Sequence, residues 1–343
     1  MISKSRNVIQ NGNFDVWQRG TTFTSPALNA YLADRWKYVV VTDTGTVTIT
    51  ADTSPPNKAS LYDMKIACTA ADTTVAAGDV AGVQQSVEGN FFMSVRDKPM
   101  TLSFWVKSYQ TGTFCICLDA SGSDERFVAE YTVNASATWE KKVIQIPPIP
   151  AGTWGTGTAI AGRLFFFLVA GSAYHSTVGW VAEVAKSTSN QVNLFSSTDN
   201  YWQVSQVQLE AGSSATEFEV KDPSEVLAAC QRYLGKWSAE DASYMRVVEG
   251  CSVSTTAARF FINSTVEMRA IPTLTVSAAT DWSVADADDG IVAGVSTGMS
   301  GQAWRNGAVM YLTTAAATQT KYRPVLLISS NTTAARIYMS AEI

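Results

Sequence analysis

Strand-length apolar runs recur along this chain at spacings of about ten residues, and only one stretch reads as a helix. Runs at 64–68, 80–87, 101–109, 114–118, 126–133 and 141–146 show period-two alternation or β-branched and aromatic enrichment. Residues 36–40 and 47–49 read as a hairpin turning at Thr44-Gly45. Pro147, Pro148 and Pro150 stop strand formation, and 163–170 is almost wholly apolar, as in a strand buried on both faces. After residue 237 the pattern restarts at 247–254, 258–263, 273–276, 309–313, 322–330 and 334–340. Many short strands of even spacing predict a sandwich, and the lack of an internal repeat argues against a solenoid or propeller.

The junction between the halves lies in 201–237. Within 201–209, Trp202, Val204, Gln206 and Gln208 fall on one side of a strand, and Gln203, Ser205, Val207 and Leu209 on the other. Asp222 then fits a helix N-cap, Pro223 the first helical position, and Glu225 the positive end of the dipole. Val226, Leu227, Cys230, Tyr233 and Leu234 form one apolar stripe, and Gly235 fits the C-cap. A single short helix cannot bury such a stripe against a bundle, so these five residues are the expected oligomer interface. The predicted fold is all-β: a jelly-roll β-sandwich over 1–220, a linker helix at 221–237 and a small, oligomerising C-terminal β-domain at 238–343.

Composition narrows the function. With 46% hydrophobic and 16% charged residues the chain can pack a core. A net charge of −5 argues against a nucleic-acid partner, which calls for a basic stripe. No run of about eighteen apolar residues suggests membrane insertion. The N-terminus has basic residues but no apolar run behind them, so assembly in the cytosol is expected. The five cysteines read as reduced, mostly buried hydrophobes; Cys115 and Cys117 share one strand face, which suits no mutual disulfide.

Nothing in the sequence marks a catalytic centre or a cofactor. His175 is the single histidine, in a loop-like stretch, and any Ser/His/Asp or Cys/His arrangement has to use it. Asp119 with Asp124 or Glu125 offers paired carboxylates, but scattered surface acids read the same way. The stretch DWSVADADDG at 281–290 reads as a solvated acidic turn, since it lacks the distal glutamate of a calcium loop. Aromatic residues are the better lead, with 10 Trp and 12 Tyr. Sugars stack their C–H faces on flat rings. Trp17, Trp36 and Trp105 sit in strand-like contexts and read as core. Trp154, Tyr174 and Trp180 sit in loop-like stretches and are the candidate ligand contacts.

Several motifs together resemble a family. They are Val207 to Glu210, Gly212, Ala215-Thr216, Phe218-Glu219 and Cys230 to Tyr233; Asn11 to Gly20 followed by Ala33-Asp34-Arg35-Trp36; and Leu102 to Lys107. In this order they resemble a recurrent segment of bacteriophage tail fibre or virion structural proteins. A looser likeness extends through Met268 to Thr273 and Ser340 to Ile343. The resemblance implies a jelly roll similar to carbohydrate-binding modules, in a homo-oligomeric virion part, with other virion proteins and a host surface glycan as partners. It also implies a place where calcium binds in some such modules, near Asn13, Asp15 and Glu210; a tie to the linker is the competing role for Glu210. The expected protein is a non-enzymatic virion subunit, a homotrimer in a tail fibre or appendage. A head fibre or capsid decoration protein, and a polysaccharide-cleaving enzyme, are the alternatives.

Overall fold

The computed structural model describes residues 5–42, 45–121, 125–150, 153–182, 186–286, 291–293, 296–314 and 319–343. The chain is all-β and divides into two compact units, Met1–Val226 with Ile343, and Leu227–Glu342.

The first unit is a jelly-roll-like sandwich of two six-stranded antiparallel sheets. Sheet one runs β1 (Thr22–Thr24), β3 (Thr46–Asp52), β4 (Asp63–Ala70), β12 (Tyr201–Ala211), β6 (Met100–Ser108) and β9 (Glu140–Ile146). Sheet two runs β11 (Gly179–Val181), β8 (Arg126–Val133), β7 (Gly112–Ala120), β10 (Ile160–Ala170), β5 (Val80–Glu88) and β2 (Trp36–Val41). Strand alternation turns Val47 and Ile49, Met64 and Ile66, and Leu102, Phe104 and Val106 into one core against Leu164, Phe166 and Leu168. Phe166 is its hub, with Phe104 edge-on at 4.9 Å, Trp202 at 5.7 Å and Trp36 at 6.2 Å. Its strand neighbour Phe167 points to the other face of sheet two and is buried there with Val80, Cys117 and Val128.

Two sequence expectations change here. The hairpin at Thr44-Gly45 does not form: β2 pairs with β5 in sheet two, and β3 with β1 and β4 in sheet one. Consecutive apolar strands can satisfy the same core from opposite sheets, so adjacency in sequence does not require pairing. Strand β12 also breaks its own alternation. Its register with β6 shifts between Ser205 and Gln208, and Gln206 takes φ 54°. This bulge adds one residue to one side of the pair, so Trp202, Val204, Val207 and Leu209 all reach the core. The Val207 N–H donates to the Gly12 carbonyl at 2.8 Å and the Val207 carbonyl accepts from Asn7 Nδ2 at 2.9 Å. A Cβ on Gly12 would lie 2.2 Å from the Val207 carbonyl oxygen, so only glycine allows this approach.

Helix α1 (Gly89–Phe92) is one turn. Helix α2 (Pro223–Gln231) begins at Asp222, whose Oδ1 accepts the Ser224 N–H at 2.8 Å. It is shorter than the sequence suggests. Tyr233 lies beyond it, and Leu234 and Gly235 open a strand, β13 (Leu234–Ser238). The stripe proposed as an oligomer interface is consumed within the chain. Cys230, Tyr233 and Leu234 are at most 1% exposed and Val226 is 7% exposed, while Leu227 alone, at 39%, meets solvent. Apolar spacing at 3.6 residues extends past Gln231, but the strand Leu234–Ser238 claims those last residues for the next sheet.

In the second unit β13 joins β22 (Arg336–Ser340) and β16 (Thr273–Val276) in a three-stranded sheet. The other sheet runs β18 (Ile291–Ala293), β17 (Trp282–Asp286), β21 (Pro324–Ser329), β14 (Arg246–Ser252), β15 (Ala257–Asn263), β20 (Gly307–Thr314) and β19 (Ser296–Trp304). Phe260, Ile262, Trp282, Met310, Leu312, Leu327 and Ile337 form its core.

Candidate functional site

The outer face of sheet one carries a cleft of ≈ 330 Å³, at the small end of the roughly 300–1,000 Å³ typical of ligand pockets. Its floor follows from the alternation of β6. Since Leu102, Phe104 and Val106 face the core, Ser103, Trp105 and Lys107 face outward. Ser103 and Trp105 line the cleft, with Trp105 half-buried, and Lys141 of β9 stands opposite Trp105 in register. Gln206, raised by the bulge of β12, completes the floor.

Two segments wall it. One is the strap 53–62 between β3 and β4, which contributes Asn57 and Ala59. Asp52 Oδ1 accepts from the Ser54 N–H at 3.1 Å at one end of the strap. At the other, Asp15 Oδ1 accepts from the Leu61 and Tyr62 N–H groups at 2.8 and 3.1 Å. In between, Gln206 Nε2 donates to Asn57 Oδ1 at 2.8 Å and Trp139 Nε1 to the Ser54 carbonyl at 2.9 Å. The second wall is Glu217, Phe218 and Val220. It is held by Glu210, which accepts from the Thr216 N–H at 2.8 Å, and by Gln208 Oε1, which accepts from the Glu219 N–H at 2.8 Å.

The strap also covers Asp63, which is fully buried. Gln203 Nε2 donates to its Oδ2 at 2.6 Å, while Oδ1 has no hydrogen-bond partner among the described residues. Burial raises the Asp63 pKa to about 6; Gln203 lowers it, Asp52 opposite in register raises it, and Lys107 and the Ser54 amide lower it more weakly.

The residues expected to contact ligand lie elsewhere, on the side of sheet two. Trp154 is buried, its ring 4.5 Å from Phe92 and 6.0 Å from Trp180. Trp180 is half-buried in β11, packs on Phe127 at 5.5 Å and donates to the Pro147 carbonyl. Tyr174 is half-buried against the Phe167 cluster beneath the Lys186 ammonium, 3.8 Å from its ring centroid. The structure thus brings Trp154 and Trp180 together as packing, which removes Trp154 as a surface contact. Trp36 is core, Trp17 packs half-buried against it, and Trp105, expected in the core, opens outward. The signal for Trp105 was present: in Leu102-Ser103-Phe104-Trp105-Val106-Lys107 only one of the two adjacent aromatics can face inward.

The remaining chemical candidates are structural. Asp119 pairs with Arg163 at 2.8 Å and Arg126 at 3.9 Å. Asp124 and residues 287–290 of the acidic turn lie outside the described residues. His175 Nε2 is 2.9 Å from the Ala170 carbonyl. Asn13 donates to Asp15, and Glu210 instead ties down residue 216, so the three do not form one ligand set. Among the described residues no group of three or more His, Cys, Asp or Glu is placed to hold a metal. None of the five cysteines forms a disulfide, and four of them are buried.

No protein-family model matches this chain, and no curated protein matches it at a significant level. Some solved structures are distantly similar. The enzymatically active domain of bacteriophage CBA120 tailspike protein 4 is 14% identical over 62% of this chain and 22% of its own, with a TM-score of 0.33. An arabinose-bound α-L-arabinofuranosidase is 10% identical over 66% of this chain and 30% of its own, at 0.34. A family 11 carbohydrate-binding module from Clostridium thermocellum, in complex with a β-1,3-1,4-mixed-linked tetrasaccharide, is 11% identical over 57% of this chain and 98% of its own, at 0.32. This chain therefore spans less than a third of the first two. At TM-scores of 0.32 to 0.34 these likenesses assign neither a family nor an activity.

Proposed function

We propose that this chain is a non-catalytic glycan-binding subunit of a bacteriophage virion, in a tail fibre or similar appendage. The observation that carries the glycan reading is the outward ring of Trp105 on the floor of the cleft. Apolar ring and wall groups (Phe218, Val220 and Ala59) stand there beside hydrogen-bonding ones (Ser103, Lys141, Glu217 and the Asn57–Gln206 amide pair). A pyranose has the matching duality, an apolar C–H face and a rim of hydroxyls. The floor lies on paired strands and both walls are hydrogen-bonded down, so little ordering cost attends binding. The virion reading draws on the motifs at Asn11 to Gly20, Leu102 to Lys107 and Val207 to Glu219. A closed homo-oligomer, the usual state of such subunits, would then use surfaces other than residues 226–234. The non-catalytic reading draws on the acids themselves: Asp119 is spent on two arginines, Asp63 is enclosed, and Glu217 is, among the described residues, the one carboxylate lining the cleft, where glycoside hydrolysis takes two.

The test is an array of bacterial surface oligosaccharides probed with the parent chain and Trp105→Ala. Binding by the parent that falls about five- to thirtyfold in the variant is expected, since a stacked ring contributes on the order of 1–2 kcal/mol. Binding that ignores Trp105, or no binding at all, removes the reading. Incubation with the bound glycans should release no new reducing ends.

A further inference from the structure

We infer that the Trp105 cleft selects an acidic glycan, one carrying anionic groups along its chain; this rests on the glycan-binding reading above. The whole chain is acidic, with 30 Asp and Glu against 25 Lys and Arg. Around Trp105 that balance inverts. Lys141 is exposed, lines the cleft and is the cross-strand neighbour of Trp105. Lys107 stands two residues further along β6, on the same face and about 7 Å away by strand geometry. Its ammonium lies 5.0 Å from the Trp139 ring centroid and 3.4 Å from Ser54 Oγ. Lys58 sits in the strap between two cleft-lining residues. None of these three is within ion-pair distance of a carboxylate among the described residues, whereas Lys65, on the same face, is paired with Asp52 at 3.7 Å.

The acids of this face do not cancel them. Asp63 is buried, Asp52 is engaged by Lys65 and Ser54, and buried Glu210 is engaged by Thr216 and, at 3.5 Å, by Arg6, which leaves Glu217 on the second wall. A sugar ring stacked on Trp105 would thus meet ammonium groups from the β6–β9 side and a carboxylate from the other. Glu217 can accept hydroxyl hydrogens, which every sugar offers. Lys141 finds a full charge partner only in an acidic sugar, and Lys107, whose charge is only weakly felt by the enclosed Asp63, adds a second ammonium. By strand geometry both backbone positions lie within about 8 Å of Trp105, the Debye length at physiological ionic strength, so their attraction for an anion is only partly screened. A neutral sugar offers these ammonium groups only hydroxyl oxygens, so the charge term acts as selectivity.

The experiment compares matched chains, hexamers of galacturonic acid against their methyl esters, together with acidic and neutral members of a surface-oligosaccharide array. Acidic members should bind about tenfold more tightly than neutral counterparts, as two partly exposed charge contacts permit. The preference should shrink as salt rises from about 50 to about 500 mM. Lys141→Gln, which keeps a hydrogen-bond donor, should lower acidic binding about fivefold and neutral binding by clearly less, with the same melting curve as the parent; Lys107→Gln/Lys141→Gln should erase the preference. Equal binding of acid and ester, a preference for neutral chains, or a salt-independent preference overturns acidic selectivity while Trp105-dependent binding survives. Absence of any Trp105-dependent glycan binding overturns both readings.

Discussion

Asp63 is a carboxyl group enclosed by a protein that gives it one good hydrogen bond. Its ordinary value of 3.8 rises to about 6 because burial disfavours the anion, and Gln203 offsets only part of that. The sign of the consequence follows. The folded chain holds the Asp63 proton where the unfolded chain has released it, so this group's contribution to stability is full below pH 3.8. It is lost as pH rises through about 6. The loss should be on the order of 3 kcal/mol. Glu219 runs the other way. Burial would raise its pKa, but the Asn7 amide, Ser5 and the Arg6 amide together hold it down, so its contribution is lost on acidification. Total stability therefore mixes both signs, and the useful comparison is between parent and Asp63→Asn. Urea midpoints should show the variant gaining on the parent between pH 4.5 and 7.5; parallel curves would mean that Asp63 is not a buried acid.

Among the elements, β12 matters most, because its bulge sets the phase of the whole strand and lifts Gln206 into the cleft. A β-branched side chain resists φ 54°, so Gln206→Val should cost about 1–3 kcal/mol and weaken glycan binding, with Gln206→Gly costing less. Thermal melts of the pair check this, and equal melting would place the bulge elsewhere. The junction of α2 and β13 makes a second comparison. Leu234 is 1% exposed and pairs with Ser340, whereas Leu227 is 39% exposed. Leu234→Asp should destabilise the second unit by about 3 kcal/mol or more, because a charge replaces a buried side chain. Leu227→Asp should shift the melt by less than about 0.5 kcal/mol equivalent. Dissociation of an oligomer by Leu227→Asp, without loss of fold, would restore the stripe as an interface.

For the molecule as a whole, every residue that lines the cleft belongs to the first unit. A chain of residues 1–226 should therefore fold alone and bind the same glycans with the affinity of the full protein. Circular dichroism and titration calorimetry check the two halves of that statement. An unfolded product, or a folded one that has lost binding, would show that the second unit completes the site.

Strand spacing and the Asp222 cap are local properties, set by side-chain period and turn chemistry, and the sequence alone determines them. So is the all-β class, because alternation at period two can bury one face only in a sheet. The sequence could not decide which sheet each strand joins, since β2 and β3 offer the same apolar stripe to the same core from opposite sides. It could not place the bulge at Gln206, where an N-terminal segment some 200 residues away in the chain supplies the partners of Val207. Nor could it show that Trp154, in a loop-like stretch, turns in, whereas the alternation of 102–107 already sets Phe104 and Trp105 on opposite faces. Whether an aromatic ring is core or contact depends on what lies across from it, and only the tertiary structure supplies that neighbour.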